Sequence, residues 1–210
     1  MKSLKIKAGI EIIEKSAYSH QDELETVTLP DSVKKIDDFA FMDCENLTEI
    51  NFPEGLTFIG DGACFNTELK EINLPSTLEY IGMAAFKSTK ITSVTLPESL
   101  KYIGVSAFRR TGLEEIIIPD SVTEIGDSAF HSTTVRSFTF RGGKIVEDSV
   151  SHLTKLKSVQ FGNGLEIIGA FAFKGCQISS LTLPKSLRKI GANAFADTNI
   201  KTLTIPRSEE

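Results

Sequence analysis

The 210-residue chain is short of the features that mark most membrane proteins, nucleic-acid binders and enzymes. No stretch approaches the roughly 20 consecutive apolar residues of a membrane span. The opening Met1-Lys2-Ser3-Leu4-Lys5-Ile6 has no apolar run of the length a secretory leader needs, so no membrane insertion by this chain is expected. Positive charge is not in excess. A formal net charge of −5 and a pI near 5.4 argue against a general phosphate-binding face, because nucleic-acid binders concentrate Lys and Arg into a basic footprint. No nucleic-acid partner is expected.

Cysteine is scarce, with three residues, an odd number, and no C-x-x-C spacing, which points to neither a disulfide framework nor a zinc site. His20, His131 and His152 have no acidic or cysteine partner at ligand spacing and read as surface residues, so no metal is expected. There is no G-x-S-x-G, no P-loop and no dinucleotide fingerprint. A non-enzymatic chain without a cofactor follows as the expectation.

What is present is a repeat. All seven prolines, Pro30, Pro53, Pro75, Pro97, Pro119, Pro184 and Pro206, fall in one slot of one unit. Units begin at Leu24, Leu47, Leu69, Ile91, Leu113, Val135, Leu156, Ile178 and Ile200, mostly 22 residues apart, and a degenerate leading unit aligns from about Leu4. Each reads approximately L-x-x-I-x-L-P-x-x-L-x-x-I-G-x-x-A-F-x-x-T-x. Slots four and six are apolar around a polar residue, as in Ile72-Asn73-Leu74, which predicts a short half-buried strand that the following proline ends. The glycine of the I-G pair, at Gly82, Gly104 or Gly191, is expected to supply positive φ at a corner. The Ala-Phe pair, with Phe41, Phe86, Phe108, Phe130, Phe173 and Phe195, predicts a phenylalanine spine.

No single unit can cover its own apolar face, so stability must come from stacking neighbours into a continuous core. The landmarks L-P, I-G and A-F resemble those of the bacterial-surface-antigen type of leucine-rich repeat, often called BspA-like, over nearly the whole chain. The resemblance implies a leucine-rich-repeat solenoid of about nine stacked coils, with one short parallel strand per coil on one face and turns, short helical pieces or short strands on the other. A single domain over residues 1–210 is expected. Residues 1–23 form a degenerate first coil or cap, 24–134 regular repeats, 135–155 a degenerate repeat, and 156–210 regular repeats and a final strand.

Function follows from the resemblance and not from spacing. The family mostly comprises bacterial and protozoan surface proteins implicated in adhesion, which implies a cell-surface or extracellular binding module for a protein or glycan ligand. The alternative is an architectural spacer within a larger surface protein. With no evident polar cap at either end, the chain is either an excised piece of a longer protein or uses Met1 to Gln21 and the acidic tail as makeshift caps. An exposed terminal strand also allows end-to-end self-association.

Two surfaces are candidate partner sites. Slots three and five point out of the coil and bear Glu49, Glu71, Thr95 and Glu115 among other small polar residues. They serve either cross-strand support or a concave binding surface. The slot before the I-G corner holds Phe58, Tyr80 and Tyr102 in adjacent units, expected to stack about 5 Å apart, either covering the coil or anchoring a partner. Lys87, Arg109 and Arg110 lie in turns that could rim this row.

The unit from Val135 to Lys155 replaces the proline by Arg141, loses its I-G and A-F landmarks and is one residue short. It is either a drifted coil still filled by Ile145, Val146, Val150 and Leu153, or a kink or local binding site. Cys64 occupies the Phe slot, and Cys44 and Cys176 the slot of Thr67, Thr89, Thr111, Thr133 and Thr198; all three are expected to be packing residues.

Overall fold

The computed structural model describes residues 2–141, 145–146, 150 and 153–204, with Ile145 and Val146 described in their backbone alone. The expectations placed on Met1, His152, Pro206 and the acidic tail lie outside the described residues. The chain is a parallel β-solenoid of about nine turns of some 22 residues, and no helix occurs among the described residues.

Slots three to six of the unit form a first column of strands: Ser3–Lys5, Thr26–Thr28, Glu49–Ile50, Glu115–Ile118, Ser137–Phe140, Ser158–Phe161, Ser180–Thr182 and Thr202–Thr204. Their alternation sends slot four inward and slots three and five outward, as in Glu115–Ile118, where Ile116 and Ile118 are buried and Glu115 and Ile117 exposed. Slots twelve and thirteen form a second column: Ile12–Ile13, Lys35–Ile36, Phe58–Ile59, Tyr80–Ile81, Tyr102–Ile103, Glu124–Ile125, Ile145–Val146, Ile167–Ile168 and Lys189–Ile190. Pairing at equivalent slots sets the register: Tyr80 lies beside Tyr102, and Phe138 beside Val159 even across the unit that is one residue short, so equivalent side chains stack.

The two columns are not closed over the same coils. The second column runs as one six-stranded sheet from Ile12–Ile13 to Glu124–Ile125. The first column forms a three-stranded sheet as far as Glu49–Ile50 and then lapses. Through the next two coils a single bridge, Glu71 to Ser93, is its only pairing among the described residues. It resumes as Glu115–Ile118, Ser137–Phe140 and Ser158–Phe161, where the second column is divided between Glu124–Ile125 and Ile145–Val146. The stack therefore changes the side on which its coils are held at the degenerate unit. Ile145–Val146 pairs with Ile167–Ile168, which puts the missing residue before Ile145, and Val150 and Leu153 are fully buried.

The core is the expected spine. Phe41, Phe86, Phe108, Phe130 and Phe173 are fully buried; rings 86 and 108 stack at 5.5 Å and rings 108 and 130 at 5.6 Å. Cys64 interrupts the spine between Phe41 and Phe86, and Phe52 fills in edge-on against Phe86 at 6.0 Å. In the Thr slot, the hydroxyls of Thr67, Thr89 and Thr111 donate to the carbonyl three residues back at 2.9–3.1 Å. The thiol of Cys44 instead donates to Tyr18 O in the preceding coil, at 3.0 Å. All three cysteines are free and buried; burial pushes the Cys176 thiol up to about 12 and Cys64 higher still.

The glycines of the I-G pair do not adopt positive φ, contrary to expectation. Gly82 is needed for proximity, because a Cβ there would lie 2.6 Å from Asp61 N and from Gly60 C in the neighbouring coil. Positive φ falls two and six residues later, at Ala84 (53°) and Ser88 (61°), and recurs at Ser106 and Arg110, Ser128 and Ser132, and Asn193 and Asp197. This alternation turns every second N–H along the stack. Ala84, Phe86 and Ser88 donate to Val105, Ala107 and Arg109 O at 2.8, 2.9 and 2.8 Å. The turns thus form a third hydrogen-bonded column, and the bonds offset the strain of left-handed non-glycine residues.

Candidate recognition surfaces

Phe58, Tyr80 and Tyr102 sit in consecutive strands of the six-stranded second column. Their rings stack at 4.5 Å and 4.7 Å with planes within 4° and 7° of parallel, and Lys35 Nζ stands 4.9 Å from the Phe58 centroid at the end of the row. Rings stacked this closely cover one another's faces and present edges and hydroxyls outward. Burial raises the Tyr80 and Tyr102 hydroxyls above the ordinary phenol value. The charges of Tyr102, Asp61, Asp38 and Glu124 add to this at Tyr80, and those of Glu124 and Asp61 at Tyr102. Both stay protonated donors at neutral pH.

The carboxylates beside the row are partly spoken for. Asp61 Oδ1 accepts from Met83 N at 2.7 Å and Asp38 Oδ1 from Asp61 N at 3.0 Å, while the Asp38 N–H chiefly, and then Lys35, hold the Asp37 carboxyl below its usual range. Of the cations expected to rim the row, Lys87 lies over Phe65, 5.3 Å from its centroid, in the turn column, and Arg110 is a left-handed turn residue. Lys35, in the row's own slot, is the cation that meets it.

On the first column Glu49, Glu71, Thr95 and Glu115 are all exposed. Cross-strand support is real where the sheet is closed: Asn51 bonds to both main-chain groups of Leu29, and Thr26 Oγ1 donates to Ser3 Oγ at 2.9 Å. Pairing lapses twice along this column: between Ser158–Phe161 and Ser180–Thr182 a groove of about 640 Å³ opens, and between Glu49–Ile50 and Glu115–Ile118 two contiguous grooves of about 500 and 520 Å³ share Ser93, Val94, Thr95 and Glu98. One extends to Glu114, Glu115, Ile116 and Ile117, the other to Glu54, Asn73 and Leu74. Arg141 Nη1 reaches Glu98 Oε1 at 3.0 Å across the intervening coil.

The structure brings Thr95 and Glu115 to one groove and puts the three rings on a separate column, so the candidates do not form one site. The reading of outward slots alone missed Glu54, Glu98 and Glu114. The available signals were Ile117, an apolar residue in a slot otherwise holding Thr, Asn or Gln, and Arg141 in the proline slot. His20 is exposed with Asp43 Oδ2 at 3.6 Å, and His131 Nδ1 is 2.7 Å from Ser132 Oγ. Among the described residues no three His, Cys, Asp or Glu side chains converge as a metal-binding group, and no helix is long and apolar enough to cross a membrane.

Stacked coils of this length, with L-P, I-G and A-F landmarks in fixed places, define a leucine-rich-repeat protein. The chain belongs to the family of the BspA type leucine rich repeat region, which it matches in six copies over residues 11–136 and 143–210. Among solved structures it is similar to the T. pallidum leucine-rich-repeat protein, with 26% identity, a TM-score of 0.53, and 82% of this chain and 75% of that one covered. A leucine-rich-repeat protein from Bacteroides ovatus aligns at 21% identity and TM-score 0.45, covering 96% of this chain and 86% of that chain. A leucine rich cell surface protein from Faecalibacterium prausnitzii aligns at 17% and 0.47, covering 100% and 89%. No curated protein matches the chain.

Proposed function

We propose that the chain is a non-enzymatic recognition module displayed at a bacterial cell surface, which binds a protein or glycan partner along its extended face and so serves adhesion. The supporting observation is the opened first column. A stack with a filled interior leaves a grooved stretch of this column between residues 54 and 119, lined by exposed and half-buried side chains, and a further groove of about 640 Å³ between residues 158 and 185. Membership of a family of surface repeat proteins favours the same reading. Rigid coils lower the ordering cost of binding, which suits a preformed surface.

Binding of the purified chain to an array of extracellular-matrix proteins, glycans and cell-surface extracts at physiological salt tests the proposal. Saturable binding to one class is the expected result. Absence of binding across the array would sink it and leave the spacer role, in which the coils set the reach of neighbouring parts.

A further inference from the structure

We propose that the opened groove of the first column docks an extended, cationic polypeptide segment in which apolar residues alternate with Lys or Arg. This rests on the recognition role proposed above and names its partner class.

Three observations carry it. The floor is apolar: Leu96 and Ile116 are buried, Val94 is half-buried, and Ile117 is 48% exposed in a slot where every other coil places a polar side chain. An extended segment sends alternate side chains to opposite faces, so it can set apolar groups on this floor and charged groups on the rim.

The rim is acidic: Glu54, Glu98, Glu114 and Glu115 are exposed around it, within residues 1–134, which hold 22 Asp and Glu against 12 Lys and Arg. Among the described residues the one cation lining it is Arg141, whose guanidinium pairs with Glu98 at 3.0 Å. The chain thus already places a cation where a ligand's Lys or Arg would sit. Charge of this sign steers cationic segments and rejects acidic ones.

The main chain is also available. Among the described residues no hydrogen bond joins residues 93–97 to 115–119, whereas Glu115–Ile118 is fully paired on its other side. Four coils about 4.8 Å apart, from that of Glu54 to that of Glu115, span about 14 Å, the reach of four to five extended residues. Among the described residues the lining holds no aromatic ring on which a sugar could stack, which favours a peptide over a glycan.

The test is fluorescence anisotropy of a labelled hexapeptide of alternating Lys and Val, with a Glu–Val hexapeptide as counterpart, against the full chain. Saturable binding of Lys–Val, at least tenfold tighter than Glu–Val, is expected. The pair E98Q/E115Q should weaken it at least tenfold, and E11Q/E14Q, with the same change of net charge in the first coil, should leave it unchanged. R141Q should tighten it about threefold or more by freeing Glu98. A weaker complex with R141Q, equal binding of Glu–Val, equal loss from E11Q/E14Q, or no binding of Lys–Val at about 1 mM would each overturn the proposal. On the array, a partner retained at full strength by E98Q/E115Q would overturn the groove while leaving the recognition role standing.

Discussion

The side-chain amide of Asn51 closes a two-bond ring with the main chain of Leu29, accepting from Leu29 N at 2.6 Å and donating to Leu29 O at 2.9 Å, 22 residues back in sequence. This is the bond pair that a strand neighbour would make, supplied by a side chain at the point where the first column stops pairing. Replacing Asn51 by Ala leaves both groups of the buried Leu29 without these partners, and a hydrogen bond lost this way costs about 1–3 kcal/mol. We expect N51A to lower chain stability by that order in urea unfolding. N51D, which keeps the acceptor and removes the donor, should not restore it.

Gly82→Ala tests whether the I-G glycine is conserved in the repeat for proximity or for conformation. Its Cβ would meet main-chain atoms of the preceding coil at 2.6 Å, which no rotamer change relieves, so overpacking should cost about 1–3 kcal/mol. Ala84→Gly, at φ 53°, removes a left-handed non-glycine residue and should be neutral or stabilising. If G82A melts at the wild-type temperature, proximity is not the reason for the glycine.

Those two residues also show what the sequence could and could not tell. Period-2 alternation around Asn73 and the fixed proline slot specify a strand, and the Ala-Phe pair a spine, because both depend on which side chains must be inside. The φ of Ala84 and the role of Gly82 depend on the distance between coils, which no single unit encodes. The groove was hidden for the same reason: Thr95 and Glu115 are legible as outward residues, but their meeting requires knowing that the ladder lapses between them. Arg141 was visible as a departure, while its partner Glu98, 43 residues earlier, was not.

The stacked phenols make stability sensitive to alkaline pH. Tyr80 and Tyr102 have raised hydroxyls in the fold, so their contribution is fully present below the ordinary phenol value near 10 and is lost as pH rises through the higher folded values. The chain should therefore lose stability above about pH 10, and Y80F/Y102F should flatten that loss while leaving neutral-pH stability nearly unchanged. The buried thiols act in the same direction, so the comparison between variants is the informative one. Ultraviolet titration of tyrosinate with both residues ionising at or below pH 10 would contradict the burial argument.

The ends of the described stack predict self-association. The last coils expose Ile190 at 45% and Leu203 at 47%, the first exposes Ile10 at 42% and Ile12 at 44%, and Ser3–Lys5 and Thr202–Thr204 each pair on one side alone. Apolar side chains beside unpaired strand edges are the arrangement that adds another copy. Pairing of unlike ends is head-to-tail and continues past two copies, whereas pairing of like ends closes as a two-fold dimer, so mass should climb with concentration by either route. Light scattering across a hundredfold concentration range should show that climb, and I190K/L203K should limit it to a dimer at most by placing two charges on the exposed end. A constant monomer mass for the unsubstituted chain would mean that the end faces are tolerated in water as they stand, and that Ile190 and Leu203 answer to no second copy.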